Sequence, residues 1–549
     1  MIDFDVPETF NMATVLVDRH VEEGRGDRVA IYYGDETITY RELQRRVNKA
    51  GNMLRGGGIE IEDRVMLLMA DRPQFIETFV GAMKIGAVPV PVDVRSSPEE
   101  VAYYVDDSRA AAIVVDRDLE GHLGDRHRFR YLKQVFVVGG DTPSPQPSPR
   151  GRGGDPGGRG GDSSVLSPQS SVLSYEQELA AASDELETEP THRDDASYWL
   201  YSSGTTGQPK GTIHLHRDMV YCTGTWIQQV SKPTPSDIYY TASKLPFSYG
   251  LVNGLYQPLL AGVATVLVSE PSNAVALTET VKRYRPTIIF SVPTLYNLIL
   301  REKEAGNLDP DFSSVRMCIS AGEALPAAIY ERWLETFGLE LLDGIGSTEF
   351  GYIYIQNLPG QARPSASGQV LPGYEARILD EDENPVPDGE IGELYMRSDS
   401  FAASYWKKRE RSKDTFRGPW LKTGDRYRRD SDGYYYYAGR GDDMFKTSGQ
   451  WVSPIEVEGA LLHHPSVAEA AVIGVTDSDG LNKPKAFVVL KPGHEAGPQL
   501  VAVLQDHSKT LLAPDYYKYP RWVEFVGELP KTATGKIQRF KLRSQGSAS

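Results

Sequence analysis

Short apolar, β-branched runs alternate with helix-like stretches along the first quarter of the chain, and this alternation restricts the fold more than any other feature. Arg64-Val65-Met66-Leu67-Leu68-Met69 reads as a buried strand, residues 74–85 as a helix, and Ala87-Val88-Pro89-Val90-Pro91-Val92 as the next extended segment. Strand and helix in turn at this spacing predict βαβ units and a mainly parallel sheet. The rhythm resumes after residue 190, with strands expected at 196–201, 265–268, 287–291 and 315–320. At 549 residues the chain exceeds what one hydrophobic core supports, so several domains are expected.

Residues 141–174 interrupt the rhythm. They hold Pro-Ser-Pro-Gln-Pro-Ser-Pro, a run of Arg-Gly and Gly-Gly steps, and Ser-Ser-Val-Leu-Ser at 163–167 and again at 170–174. Such a composition buries too little apolar surface to offset chain ordering, so a disordered, inert insertion is expected, dispensable for catalysis. Its RGG-like spacing alone would suggest RNA contact. The formal net charge of −16 repels nucleic-acid backbones and anionic lipid on average, and no nucleic-acid or membrane partner is expected. From residue 442 the texture becomes a compact α+β pattern, read as a separate small domain.

Cys222 and Cys318 are the only cysteines, with no CxxC spacing, which argues against a disulfide framework or a structural zinc. Both are expected as buried, small apolar residues. The acidic start lacks a signal-peptide pattern, and the apolar stretch 80–92 is short and interrupted by Lys84. A cytoplasmic enzyme is the expectation.

The strongest local signal is Tyr201-Ser202-Ser203-Gly204-Thr205-Thr206-Gly207-Gln208-Pro209-Lys210-Gly211, placed between an expected strand and a helical stretch near 216–229. Small residues let backbone N–H groups approach a polyphosphate, hydroxyls donate, and Lys210 adds charge. The glycine spacing fails the Walker pattern, and alone the string would read as a flexible turn. Its company decides otherwise. Gly344-Ile345-Gly346-Ser347-Thr348-Glu349, Leu421-Lys422-Thr423-Gly424-Asp425, Tyr437-Ala438-Gly439-Arg440-Gly441-Asp442-Asp443 and Pro530-Lys531-Thr532-Ala533-Thr534-Gly535-Lys536 follow in order.

Together these strings resemble the adenylate-forming superfamily of acyl-CoA synthetases, peptide-synthetase adenylation domains and luciferases. The resemblance implies an α/β fold with a large multi-subdomain N-terminal domain (1–440) of mainly parallel sheets, a hinge (441–442) and a small mobile α+β C-terminal domain (443–549). It also implies an enzyme that uses ATP, Mg2+ and coenzyme A. Ser202, Ser203, Gly204, Thr205, Thr206, Gly207 and Lys210 would hold the β- and γ-phosphates. Thr348 would contact the α-phosphate, and Glu349 would ligate Mg2+, a hard cation that prefers oxygen. Gly344, Ile345 and Gly346 would face the adenine, and Asp425 and Arg440 the ribose. Lys536 would bridge the attacking carboxylate and the α-phosphate, stabilising charge in the transition state of the first step. Asp442 would be the hinge about which the tail rotates before the thiol step, and Gly449 would line the pantetheine tunnel. Residues 530–536 also match a pattern recognised by protein acetyltransferases, making Lys536 a candidate for acetylation. A homodimer is a further possibility.

The implied acid pocket lies between Ser248, Tyr249 and Gly250, the segment Ala321, Gly322 and Glu323, and Gly344 to Tyr352. No aspartate stands where amino-acid-activating domains pair with an ammonium. Phe-Ser-Tyr-Gly-Leu-Val-Asn (247–253), Ser-Ala-Gly-Glu-Ala-Leu-Pro (320–326) and Gly-Gln-Trp-Val-Ser-Pro-Ile-Glu-Val-Glu (449–458) are similar to benzoate-CoA ligases and their hydroxybenzoate relatives. Those enzymes tend to carry alanine where Ser248 stands and histidine where Tyr352 stands. The two added hydroxyls would serve a hydroxybenzoate or satisfy neighbouring backbone groups. A benzoate-type acid is therefore expected as substrate, ahead of a medium-chain or alicyclic acid, an enzyme loading a carrier protein, or an inert homologue.

Overall fold

The computed structural model describes residues 5–139, 171–202, 208–441, 443–447, 450–477, 481–531 and 537–546. Ser203, Gly204, Thr205, Thr206, Gly207, Asp442, Gly449 and Lys536 lie outside the described residues, as does most of the insertion.

The early strand–helix alternation forms a five-stranded, all-parallel sheet in the order Val88–Pro91, Arg64–Leu68, Ala110–Asp116, Gln134–Val138, Ser171–Ser174. Its middle strand Ala110–Asp116 is buried throughout, and the two beside it at all but their first residue, as expected of β-branched runs with both faces covered. The helix Pro98–Ser108 starts on a capping box in which Ser97 and Glu100 exchange side-chain to backbone hydrogen bonds. Lys84, which interrupts the apolar stretch, is buried at the end of the helix Pro73–Lys84, and its ammonium meets Asp18 and Asn48 at 2.7 Å each. A buried charge persists when it is paired in this way.

Two expectations need correction here. The second copy of the Ser-Ser-Val-Leu-Ser repeat is not part of a disordered segment: Ser171–Ser174 is an edge strand of this sheet. Leu173 packs on the main core and Val172 on the neighbouring cluster, so this copy of the repeat buries apolar side chains. The Gly/Ser/Thr loop, in turn, does not join a strand to a helix. It joins two antiparallel strands, Ala196–Ser202 and Lys210–Leu215, with Ser202 and Lys210 in register, and the helix Asp218–Trp226 follows the second strand.

The largest sheet has nine strands, in the order Gln369–Val370, Ile353–Gln356, Leu341–Gly346, Met317–Ala321, Ile288–Ser291, Ile238–Thr241, Ala264–Val266, Val29–Tyr33, Glu36–Thr39. Its centre is parallel and its margins antiparallel. The carboxyl ends of four of these strands emerge together, releasing the segments that begin at 242, 292, 322 and 347. Ligands of open parallel sheets bind at such ends.

A further sheet, Glu375–Leu379, Gly392–Arg397, Trp420–Arg429 and Phe416–Arg417 with Tyr435–Arg440 on Trp420–Arg429, is antiparallel and carries Asp425 and Arg440. The tail builds its own core. The helices Pro454–Leu462 and Pro498–Leu511 pack with the strands Val467–Thr476, Asn482–Leu490 and Trp522–Phe525, burying Val457, Leu461, Val472, Val488 and Leu504. Among the described residues, no helix is long and apolar enough to cross a membrane.

Candidate functional site

Lys210 and Glu349 arrive from different elements and meet. Lys210 opens its strand directly after the Gly/Ser/Thr loop, and Glu349 sits in the turn Thr348–Phe350 beyond the strand Leu341–Gly346. The Lys210 Nζ lies 3.4 Å from Glu349 Oε1, with both side chains largely buried. Tyr405, which sequence reasoning missed, completes the cluster: its hydroxyl donates to Glu349 Oε1 at 2.6 Å and accepts from Lys210 Nζ at 3.0 Å. Burial works against ionising Glu349, yet Lys210 and then the Tyr405 hydrogen bond outweigh it and hold the carboxyl below its ordinary range. Burial also lowers the Lys210 ammonium, opposed by Glu349. Burial, then the Glu349 charge, pushes the Tyr405 phenol far up, so it stays a donor.

The surroundings fit an anionic ligand and a hard cation. The hydroxyls of Ser202, the register partner of Lys210, and of Ser347, two residues before Glu349, are buried without a hydrogen-bond partner among the described residues. Mg2+ is usually held by one or two carboxylates together with substrate phosphates, and Glu349 offers such an oxygen donor beside a phosphate-type loop. Thr348 is fixed from behind. Its carbonyl meets His214 Nε2 at 2.7 Å, while His214 Nδ1 lies 3.2 Å from Asp218 Oδ2 and the ring stacks on Tyr198. Sequence reasoning missed this brace; the signal on offer was His214, four residues after Lys210. His216 Nδ1 accepts the Met12 N–H at 3.1 Å, and burial lowers its pKa to about 3, so it is a neutral structural acceptor.

Asp425 and Arg440 are register partners, with Arg440 Nε 3.0 Å from Asp425 Oδ1. The Asp425 charge, against burial, holds the guanidinium above its ordinary range. Gly424 adopts φ +78°, which allows the bend before Asp425.

At the expected acid pocket, Ser248 Oγ donates to the Gly351 carbonyl at 2.6 Å. Tyr352 donates to Asn253 Oδ1, and the Tyr249 hydroxyl lies 3.3 Å from the Ile319 carbonyl. The Tyr249 and Tyr352 rings lie 16° from parallel with centroids 6.4 Å apart. Ala321 ends the strand Met317–Ala321, and Gly322 follows at φ +90° with open space where a side chain would start to crowd Val292 only at 3.7 Å. Glu323 is already engaged: its Oε2 accepts from the Thr294 hydroxyl at 2.6 Å. The glycines have a second reason to be glycines. A Cβ at Gly344 would come within 2.7 Å of Gln356 Oε1, at Gly346 within 2.4 Å of the Tyr352 carbonyl, and at Gly250 within 2.0 Å of the Lys244 carbonyl. Close approach of backbone at Gly346 and Gly250, and of the Gln356 side chain at Gly344, thus explains these three without a ligand. Ile345 lies between the first two on the same strand.

Asp71 braces the segment that leads to Ser248 and Tyr249. Its Oδ1 accepts the Leu245 N–H at 3.1 Å, and Lys244 Nζ stands 3.9 Å from the carboxylate. Burial raises its pKa to about 6 despite Lys244.

On the tail, Lys531 and Ile537 form an antiparallel bridge at the base of the segment carrying Lys536. Lys531 pairs with Glu469 at 2.7 Å, and Glu469 lies 3.8 Å from Arg301 on the large domain. Beyond the expected hinge, Asp443 pairs with Arg539 and Arg543.

Comparison with known proteins covers both parts of the chain. The sequence profile of the AMP-binding enzyme family matches residues 17–406, and that of the AMP-binding enzyme C-terminal domain matches 456–536. The chain is 42% identical to the benzoate–CoA ligase of Thauera aromatica over 98% of its own length and 97% of the relative's. Among solved structures it resembles the anthranilate CoA ligase AuaEII in complex with anthranoyl-AMP (TM-score 0.89, 38% identity, covering 99% of this chain and 98% of that one). It also resembles a benzoate CoA ligase from Burkholderia xenovorans LB400 (TM-score 0.83, 37% identity, covering 97% and 100%).

Proposed function

Because the chain belongs to the AMP-binding enzyme family, and is full-length kin to aryl-acid members of it, we propose that benzoate or a close derivative is the acid it activates. The enzyme is an ATP-dependent ligase that joins an aromatic acid to coenzyme A, with ATP, Mg2+ and CoA as its co-reactants. The reaction passes through an acyl-adenylate and releases AMP.

In this reading Ser202, the loop residues Ser203 to Gly207 and Lys210 hold the polyphosphate, and Glu349 and Thr348 hold the metal and the α-phosphate. Asp425 and Arg440 hold the ribose, with Gly344, Ile345 and Gly346 beside the base. Lys536 stabilises the charge that builds as carboxylate meets phosphate, and rotation at Asp442 then opens the Gly449 passage to the thiol. When bound, Mg2+ neutralises phosphate charge and orients the departing pyrophosphate. The observation that carries the adenylating chemistry is the buried Lys210–Glu349 pair at 3.4 Å, opposite charges built from separate elements at the mouth of a hydroxyl-rich loop. Two observations support an unsubstituted ring: the Ser248 and Tyr352 hydroxyls are engaged by Gly351 and Asn253. Their protons are donated to the protein rather than left for a ring substituent.

The reading extends to a cytoplasmic setting, supported by two buried free thiols at Cys222 and Cys318, to acetylation of Lys536 that silences the first step, and to a homodimer measurable by light scattering. The test is pyrophosphate release with ATP, Mg2+ and a panel of acids, with and without CoA. Sustained turnover on benzoate only when CoA is added is expected. CoA-independent single turnover would favour a carrier-loading enzyme, and inactivity with every acid an inert homologue.

A further inference from the structure

We propose that Tyr405 is a positioning residue for the metal-binding carboxylate of Glu349, holding it aimed whether or not Lys210 is engaged elsewhere. The inference rests on the adenylating reading above and deepens it.

The segment around Tyr405 is tied to the two elements it serves. Ala402 N–H donates to the Glu349 carbonyl at 2.7 Å, Ala403 N–H to the Ile213 carbonyl at 2.9 Å, and Trp406 N–H to the Gly211 carbonyl at 2.8 Å. The first contact holds the Glu349 backbone; the other two hold the strand that Lys210 opens. Trp406 then anchors the strap on the far side, donating from its indole to the Asp107 carbonyl at 2.7 Å and packing on Trp199 at a centroid distance of 4.7 Å. A phenol mounted on so many fixed points loses little freedom when its hydroxyl meets a partner, which is the condition for preorganisation.

That hydroxyl and the Lys210 ammonium converge on one carboxylate oxygen, Oε1. The ammonium also lies 4.1 Å from the centre of the Tyr405 ring. Lys210 has a competing duty to polyphosphate. When it turns to a phosphate, the Tyr405 hydroxyl remains on Oε1, so the carboxylate keeps its orientation while the lysine changes partners. A tyrosine that served only to fill space would need its ring and not its hydroxyl. Here the ring packs against Phe416 at 5.2 Å while the hydroxyl sits on Glu349. Tyr405→Phe separates the two roles.

The experiment uses the full-length protein and its Tyr405→Phe variant. Mn2+ retained in the presence of ATP, without acid, is titrated by electron paramagnetic resonance. The Mg2+ dependence of pyrophosphate exchange, the KM values for benzoate and CoA, and Tm are measured beside it. Loss of a hydrogen bond to a charged group predicts metal affinity weakened about 10-fold. The KM values for benzoate and CoA are expected to stay within about twofold, since those sites lose nothing, and Tm to fall by no more than about 5 °C. A metal titration unmoved by the substitution overturns the proposal, as does a rise of the benzoate and CoA constants in step with it. If the wild-type protein shows no exchange with any acid, the adenylating reading itself fails. If the wild type exchanges normally and the variant binds Mn2+ equally well, only the role of Tyr405 falls.

Discussion

Arg440 reaches across a strand pair to Asp425, its Nε 3.0 Å from a carboxylate that is almost wholly buried while the guanidinium is half exposed. In the proposed reading both groups face the ribose hydroxyls, the carboxylate as acceptor and the guanidinium as donor. Asp425→Ala removes the carboxylate and leaves Arg440 the Thr423 carbonyl, 3.4 Å from its Nη1. The KM for ATP is expected to rise about 10- to 100-fold, the range for hydrogen bonds to a charged group. The KM for the acid should hold, both read by pyrophosphate exchange.

The two half-reactions should separate at two positions. Lys536→Ala is expected to slow adenylate formation about 100- to 1000-fold, the usual cost of losing one positioned donor. Conversion of supplied acyl-adenylate and CoA to thioester should survive. Asp442→Pro is expected to do the reverse. Asp443 pairs with Arg539 and Arg543, so the residue after the proposed hinge is tied to the last helix of the tail, and rotation there would carry the tail as a unit.

Much of this was legible in the sequence because it depends on local pattern. Apolar runs such as Val65 to Leu68 announce parallel strands, and the strings at Lys210, Glu349, Asp425 and Arg440 announce a shared site by their order. The antiparallel sheet beneath Asp425 and Arg440 was not read, because its strands mix charge and tyrosine with no strong alternation. Tyr405 was missed for a different reason. It belongs to a two-residue strand whose role is set by pairing with Lys210–Leu215, a long-range contact that no local pattern encodes.

The insertion was read as wholly dispensable, and the strand Ser171–Ser174 changes the expected outcome. Gln134 pairs with Ser171 in parallel, so the chain leaving Val138 must return the length of a strand before it can pair. Parallel neighbours need a crossover of about a dozen residues or more. Replacing residues 141–169 by a flexible linker of about that length should therefore leave activity and Tm unchanged. Deleting 141–174 outright should lower Tm and soluble yield by stripping the edge strand.

Asp71 offers a pH test at the segment that leads to Ser248. Burial raises its pKa to about 6 from an ordinary value near 4, so the folded state holds a proton that the unfolded chain gives up earlier. The stabilising contribution is full below about pH 4 and is lost as pH climbs through about 6. Asp71→Asn keeps an oxygen acceptor for the Leu245 N–H and removes the titration. Relative to wild type, the variant should therefore gain stability between pH 4 and pH 8 by about 3 kcal/mol, the size of a shift of about two pH units. Chemical denaturation at the two pH values measures it, and a difference that stays flat with pH would contradict the assignment.

Ser248 decides how the ring is read. If its hydroxyl served a ring substituent, removing it would penalise a hydroxybenzoate and leave benzoate untouched. Its donation to the Gly351 carbonyl at 2.6 Å gives it a structural partner instead. Ser248→Ala should then lower kcat/KM for benzoate and for 4-hydroxybenzoate by the same factor, keeping their ratio within about threefold. The lost bond should reduce stability by about 1 kcal/mol. Tyr352 argues the same way, because its hydroxyl is taken by Asn253. A tenfold change in the ratio on Ser248→Ala, set against a barely altered Tm, would place the hydroxyl on the substrate and move the preferred acid from benzoate to a hydroxylated relative.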